Sequence, residues 1–246
     1  MKIPIGLQLY SLREQTAQDY AGTLRSVARI GYSGVEFAGF SGLPAKNIRI
    51  LLEETALKAV GSHVPLEQLQ NNLLEVIDYH LEIQCHYLIC PWATIESIEA
   101  CWRVAEILEQ IGETCANHGV MFGYHNHAHE FQKFDDQFIL DLLLSRTSPA
   151  HVRLELDTGF AEISGVDSTT YIRNLRDRCP VIHLKDMLLG ASNGTVEIGK
   201  GILDVPKIIK ACEDSGVTWI VVEQEFFSRP ALQSVMESYR YLMGLE

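Results

Sequence analysis

The stretch Gly119-Val120-Met121-Phe122-Gly123-Tyr124-His125-Asn126-His127-Ala128-His129-Glu130-Phe131 opens as a short apolar strand and ends in three histidines and a carboxylate. Alternate residues of a strand point the same way. His125, His127 and His129 therefore share one face for as long as the strand lasts. Imidazoles and a carboxylate at a strand end are poor core material. They make good metal ligands or proton carriers at the mouth of a pocket. A surface loop rich in His is the plain alternative, and strand ends elsewhere in the chain decide between the two.

Working outward, the same unit recurs. Strand-like runs are read at Ile3–Leu9, Val35–Phe37, Ala59–His63, Tyr87–Trp92, the opening stretch, Val152–Asp157, Val181–Asp186 and Thr218–Glu223. Helical spacing is read at Thr16–Ile30, Leu43–Leu57, Leu73–Ile83, Ile95–Asn117, Phe138–Leu144, Ser168–Leu175, Val205–Cys212 and Ala231–Leu245. Strand and helix alternating at intervals of roughly 30 residues predict one α/β domain over residues 1–246, a closed (β/α)8 TIM barrel. The rival, an open doubly wound sheet, would carry a Gly-rich phosphate turn after its first strand. Gln8-Leu9-Tyr10-Ser11-Leu12-Arg13 is no such turn. A loop with Gly190, Asn193-Gly194 and Gly199-Lys200-Gly201 follows the seventh strand, where many barrels bind phosphate; a plain turn into the next helix explains it equally well.

In such a barrel the carboxyl ends of all strands converge on one mouth. Glu36, His63, His125 with His127, Glu155 with Asp157, His183 with Lys185, and Glu223 with Glu225 fall at six of those ends. The four pairs are spaced by two, so both members face one side. Apolar residues between them, such as Leu156 and Leu184, place that side in the barrel interior. Burying so much charge without a partner is very costly, and a divalent cation would offset it.

Leu156-Asp157-Thr158-Gly159, His183-Leu184-Lys185-Asp186 and Val222-Glu223, one motif per strand end, resemble the xylose isomerase-like barrel superfamily. That superfamily includes sugar and sugar-phosphate isomerases and epimerases, inosose dehydratase, 3-dehydroshikimate dehydratase and endonuclease IV. The resemblance covers essentially the whole chain and implies a metal held by His125, Asp157, His183 and Glu223. Mn²⁺ is the expected ion, with Co²⁺, Fe²⁺, Zn²⁺ or Mg²⁺ as alternatives. The first position departs from the pattern, because many members carry Glu where this chain has His125. The implied activity is a sugar isomerase or epimerase acting on a ketose or related polyol ketone through an enediolate. A lyase dehydrating a cyclic polyol ketone is the alternative, and the missing Glu favours taking it up. Lys185, Glu155 and His63 are the candidate proton carriers; Glu36, His127, Trp92 and Glu225 are the candidate substrate contacts. Tyr10, Phe160 and Phe226 are further candidates to wall a sugar-binding pocket.

The 246 residues carry a net charge of -12. Phosphate backbones need clustered Lys and Arg, so a nucleic-acid partner and the endonuclease reading are disfavoured. A barrel that binds sugar without catalysis is a further reading. The six cysteines form no C-x-x-C pair, and no apolar run is long enough for a membrane span. With no signal-like leader, a reduced cytoplasmic protein is expected, with a small polyol substrate. Barrels of this kind often pair, so a homodimer is among the expected assemblies.

Overall fold

The computed structural model describes residues 2–190 and 194–245, so Asn193 of the expected Asn-Gly turn lies outside the described residues. Eight parallel strands close a barrel: β1 Ile5–Gln8, β2 Gly34–Phe37, β3 Lys58–His63, β4 Tyr87–Cys90, β5 Met121–His125, β6 Arg153–Asp157, β7 Val181–Leu184 and β8 Trp219–Val222. Each pairs with its sequence neighbours, and β8 closes on β1 with Ile5 opposite Ile220. Between β2 and β3 the register shifts at Val35/Glu36, so that Glu36 stands opposite Gly61.

The strands are shorter than the apolar runs that announce them. Leu9 leaves β1 for a 3-10 turn over Leu9–Leu12, and the expected helix Thr16–Ile30 is two helices, Arg13–Gln18 and Tyr20–Ile30. Asp19 causes the break: its extended backbone ends the first helix and its carboxylate caps the second at the Gly22 N–H, 2.9 Å away. Ser97 likewise caps Ile98–Asn117, three residues later than the apolar spacing begins. Two further short helices, Leu66–Asn71 and Thr158–Ile163, enter where loops were expected. Asp186–Met187 does not continue β7; it forms a two-residue ribbon with Thr195–Val196.

Two apolar clusters hold this frame. The larger lies between the outward strand faces and the helices. The smaller fills the amino-terminal part of the barrel with Val60, Tyr87, Ile89, Val181 and Val221, capped by Trp219. Interior glycines make room for it: a Cβ on Gly123 would lie 2.3 Å from the Tyr87 hydroxyl. All six cysteines are free and buried. No helix among the described residues is long and apolar enough to cross a membrane.

Candidate active site at the carboxyl ends of the strands

Above the apolar plug the interior turns polar in two tiers. The lower tier is built on Glu155 of β6. Its Oε2 lies 2.8 Å from His63 Nε2, 3.1 Å from His125 Nδ1 and 3.2 Å from His183 Nε2. Glu36 of β2 joins from the side, with Oε2 at 2.5 Å from His183 Nε2 and 3.3 Å from His63 Nε2. Gln8, at the end of β1, donates from Nε2 to the same oxygen at 2.6 Å. Gly61 opposite leaves space for the Glu36 carboxylate, since a Cβ there would stand 2.7 Å from Oε1. The Oε1 atoms of both Glu36 and Glu155 are buried without a hydrogen-bond partner.

The upper tier surrounds Lys185, which follows β7 and is 1% exposed. Its ammonium lies 2.9 Å from Asp157 Oδ2, 2.9 Å from Glu223 Oε2 and 2.7 Å from Glu225 Oε1. The Phe160 ring centroid is 4.1 Å away. Asp157 divides its carboxylate: Oδ1 accepts the Phe160 N–H at 2.9 Å and caps Thr158–Ile163, while Oδ2 faces Lys185. Asn126 fixes the backbone there by accepting the Asp157 N–H at 3.0 Å. His183 links the tiers, its Nδ1 lying 3.0 Å from Glu223 Oε2.

These contacts set the charges. Burial disfavours the Lys185 ammonium, but Asp157, Glu223 and Glu225 outweigh it and raise its pKa. Lys185, one of the candidate proton carriers, is thus held as an ammonium by the three carboxylates around it. Burial also opposes the Glu223 carboxylate, yet Lys185 and His183 hold it well below the usual range. Burial and the Glu36 charge push Glu155 up to about 8. Burial would raise Glu36 as well, but His183 and His63 prevail and hold it at about 2. Burial, followed by neighbouring cationic groups, keeps His125 well below its ordinary value and His127 at about 3.

A cavity of about 580 Å³ opens over both tiers, within the range of small-molecule sites. His63, His125, His127, Lys185, Glu223 and Glu225 reach it, with Trp92 and Tyr10 on its walls. The structure thus brings all eleven expected site residues to the cavity or into direct contact with a group that lines it. Trp92 forms part of the wall, packed edge-on against His127 at 4.8 Å. Glu36, expected as a substrate contact, is wholly buried beneath the imidazoles and does not line the cavity. Phe226 faces a neighbouring groove with Arg13 and Phe227. The three-histidine face does not form either, since β5 ends at His125. His129 lies in a 3-10 turn, its ring centroid 4.2 Å from that of Trp92 and tilted by 45°.

Three groups hold roles that the sequence reading did not give them. Gln8 stands on the interior face of β1, two residues after Gly6, and period two alone would have found it. Glu130 accepts from the Tyr124 hydroxyl at 2.5 Å and from the His127 N–H at 2.8 Å, fixing the turn that carries His127. Asp186 is buried and accepts the N–H groups of Gly199 and Gly201 on Oδ2, and of Met187 and Leu203 on Oδ1, at 2.9–3.1 Å. The glycine-rich turn is wrapped around a resident carboxylate, which fills the place an anionic ligand would take.

The chain belongs to the xylose isomerase-like TIM barrel family, whose profile matches residues 24–243. It is similar to an inosose dehydratase of Lacticaseibacillus casei, 31% identical over 140 residues, which is 50% of this chain and 46% of that relative. The match thus spans about half the length of that protein. An inosose dehydratase of Bacillus licheniformis is 26% identical over 248 aligned positions, 82% of this chain and 79% of the relative. Among solved structures, a sugar phosphate isomerase/epimerase of Parabacteroides distasonis superposes with a TM-score of 0.87 at 27% identity, over 98% of each chain.

Proposed function

We propose that this chain is an enzyme that removes the C–H proton beside the ketone of an uncharged polyol ketone and expels a β-hydroxyl as water. The observation that carries this reading is the Lys185 ammonium set 2.7 Å from Glu225 and 2.9 Å from Glu223 at the cavity floor. Acid and base stand side by side. Glu225, the more open carboxylate, takes the proton and the C–H electron pair becomes the new double bond. Lys185 gives a proton to the departing hydroxyl, which leaves as water. Proton transfer from Glu225 to Lys185 across their contact restores both groups. His127 and Trp92 hold the polyol from the wall.

A divalent metal, Mn²⁺ by family likeness, would supply Lewis-acid polarisation of the ketone when bound. Two donor sets fit one: His125, Asp157, His183 and Glu223, or His63, His125, Glu155 and His183, each with its donor atoms within 4.8 Å of one another. The second set has buried, unpartnered Glu155 Oε1 at its edge.

The second reading, a ketose isomerase, shares the first step and returns the proton to the neighbouring carbon. It is supported by the likeness to a sugar phosphate isomerase/epimerase. Epimerisation through two opposed glutamates is not supported, because His125 stands at the strand-five position. A phosphorylated substrate is disfavoured on two counts. Asp186 consumes the N–H groups of the glycine turn, and Lys185 is ringed by three carboxylates.

Incubation with an inosose, with open-chain ketoses and with a ketose phosphate in D₂O tests this, followed by proton NMR. Loss of water from the inosose is the expected result. Deuterium at the α-carbon with all hydroxyls retained would select the isomerase. Turnover of the phosphate ester alone would overturn the substrate class.

A further inference from the structure

The two donor sets share His125 and His183 and differ in the rest. In the upper set, the Asp157 and Glu223 carboxylates already face a cation, the Lys185 ammonium, at 2.9 Å each. In the lower set, no Lys or Arg contacts Glu36 or Glu155 among the described residues, and both carboxylates are fully buried. Three ring nitrogens from three strands, β3, β5 and β7, aim at one oxygen of Glu155 at 2.8–3.2 Å. Four donors around an ion at bond lengths of ~2.0–2.2 Å stand about 3.3–3.6 Å apart in a tetrahedron. The three distances to Glu155 Oε2 fall just short of that spacing, and all four donors lie within 4.8 Å of one another. Glu155 Oε1 and Glu36 Oε1 remain as buried acceptors with nothing to accept. His63 and His125 also line the cavity, so an ion between them has a side open to substrate.

We propose that the metal seat of this protein is the His63, His125, Glu155 and His183 set, with Glu36 beside it, and that Lys185 takes the cation position between Asp157 and Glu223. Replacing the expected strand-five Glu by His125 belongs to the same rearrangement: it adds a third imidazole to the lower set. Three nitrogens and a carboxylate oxygen favour Zn²⁺, Co²⁺, Fe²⁺ or Mn²⁺ over Mg²⁺. This deepens the proposed enolising reaction and rests on it only for the metal's use.

The test reads metal binding rather than turnover. The full chain is stripped with a chelator and titrated with Co²⁺, followed by calorimetry and by the visible band that distinguishes four-coordinate Co²⁺ from octahedral. One ion per chain with the four-coordinate band is expected. His63→Ala should weaken binding by more than the ~100-fold that loss of an outer-shell partner can cost. Asp157→Asn should leave stoichiometry and band unchanged. His63→Gln and Glu155→Gln serve as second variants, and thermal unfolding checks that each protein is folded. Loss of binding in Asp157→Asn with retention in His63→Ala, two ions per chain, or no binding at all would each overturn the proposal. Turnover of polyol ketones by the same preparations is scored separately. Failure of the metal seat with intact turnover leaves the reaction standing, and intact binding without turnover removes the reaction alone.

Discussion

Lys185 carries the heaviest demand of any single side chain. It balances three carboxylates while 1% exposed, and it donates the proton in the proposed reaction. Lys185→Met removes the partner and leaves buried charge behind, which costs about 3–5 kcal/mol for a fully buried pair. Turnover should fall by roughly 10²–10⁴, the usual worth of a positioned acid. Rate and thermal midpoint measured on one preparation separate the two effects; a folded variant with wild-type rate would remove Lys185 from the reaction. His80 offers a cleaner titration, its ring packed between Phe40 and Tyr79 at the edge of the cavity. Its Nδ1 lies 2.6 Å from the Val76 carbonyl, and burial lowers its pKa below 6.5. The folded state therefore resists a proton that the unfolded chain accepts. Stability from the neutral ring is present above pH 6.5 and drains away as pH falls below it. Chemical denaturation at pH 7 and pH 5 should show a shallower pH dependence for His80→Gln than for wild type, and equal slopes would dismiss the assignment.

At the scale of elements, the turn Gly199–Leu203 shows how a side chain can organise backbone. Asp186 draws four N–H groups inward, and Gly201 is glycine because a Cβ would stand 2.2 Å from Asp186 Oδ1 and 2.4 Å from the Met187 carbonyl. Gly201→Ala should cost about 1–3 kcal/mol, as overpacking generally does. Calorimetry should find the midpoint lowered by about 2–4 °C for each kcal/mol; an unchanged midpoint would mean that the turn yields without strain. This turn also marks a limit of sequence reading. The eight strands were legible because helices cover their outer faces and leave long apolar runs, and the i, i+2 pairs at their ends pointed to the interior. Glu155 with Asp157, and His183 with Lys185, needed nothing beyond period two. What a spacing rule does not carry is partnership across the barrel: that Lys185 would meet Asp157 and Glu223, or that Glu36 would sink beneath His183 and His63. Those follow from strand stagger, including the shift opposite Gly61, and from side-chain reach. The split at Asp19 was readable in principle, since Asp is a strong helix cap, but the apolar spacing on either side masked it.

For the molecule as a whole, the burial of the thiols has a use in measurement. None of the six cysteines reaches solvent. Burial pushes Cys101 up to about 11 and Cys85, Cys90, Cys115 and Cys179 up to about 12, far from the reactive thiolate. Cys101 and Cys115 ride the helix Ile98–Asn117, Cys90 ends β4, Cys179 precedes β7, and Cys212 sits in the helix Val205–Asp214. The native protein should therefore be silent toward a thiol-specific dye, and each position should colour only when its own element opens. Peptide mapping after timed labelling would then rank the elements by opening rate, with no probe introduced. Prompt labelling of a thiol in native buffer would show that its element breathes. The barrel carries six internal clocks, spread from β4 round to the last helix but one, and a single reagent reads them all.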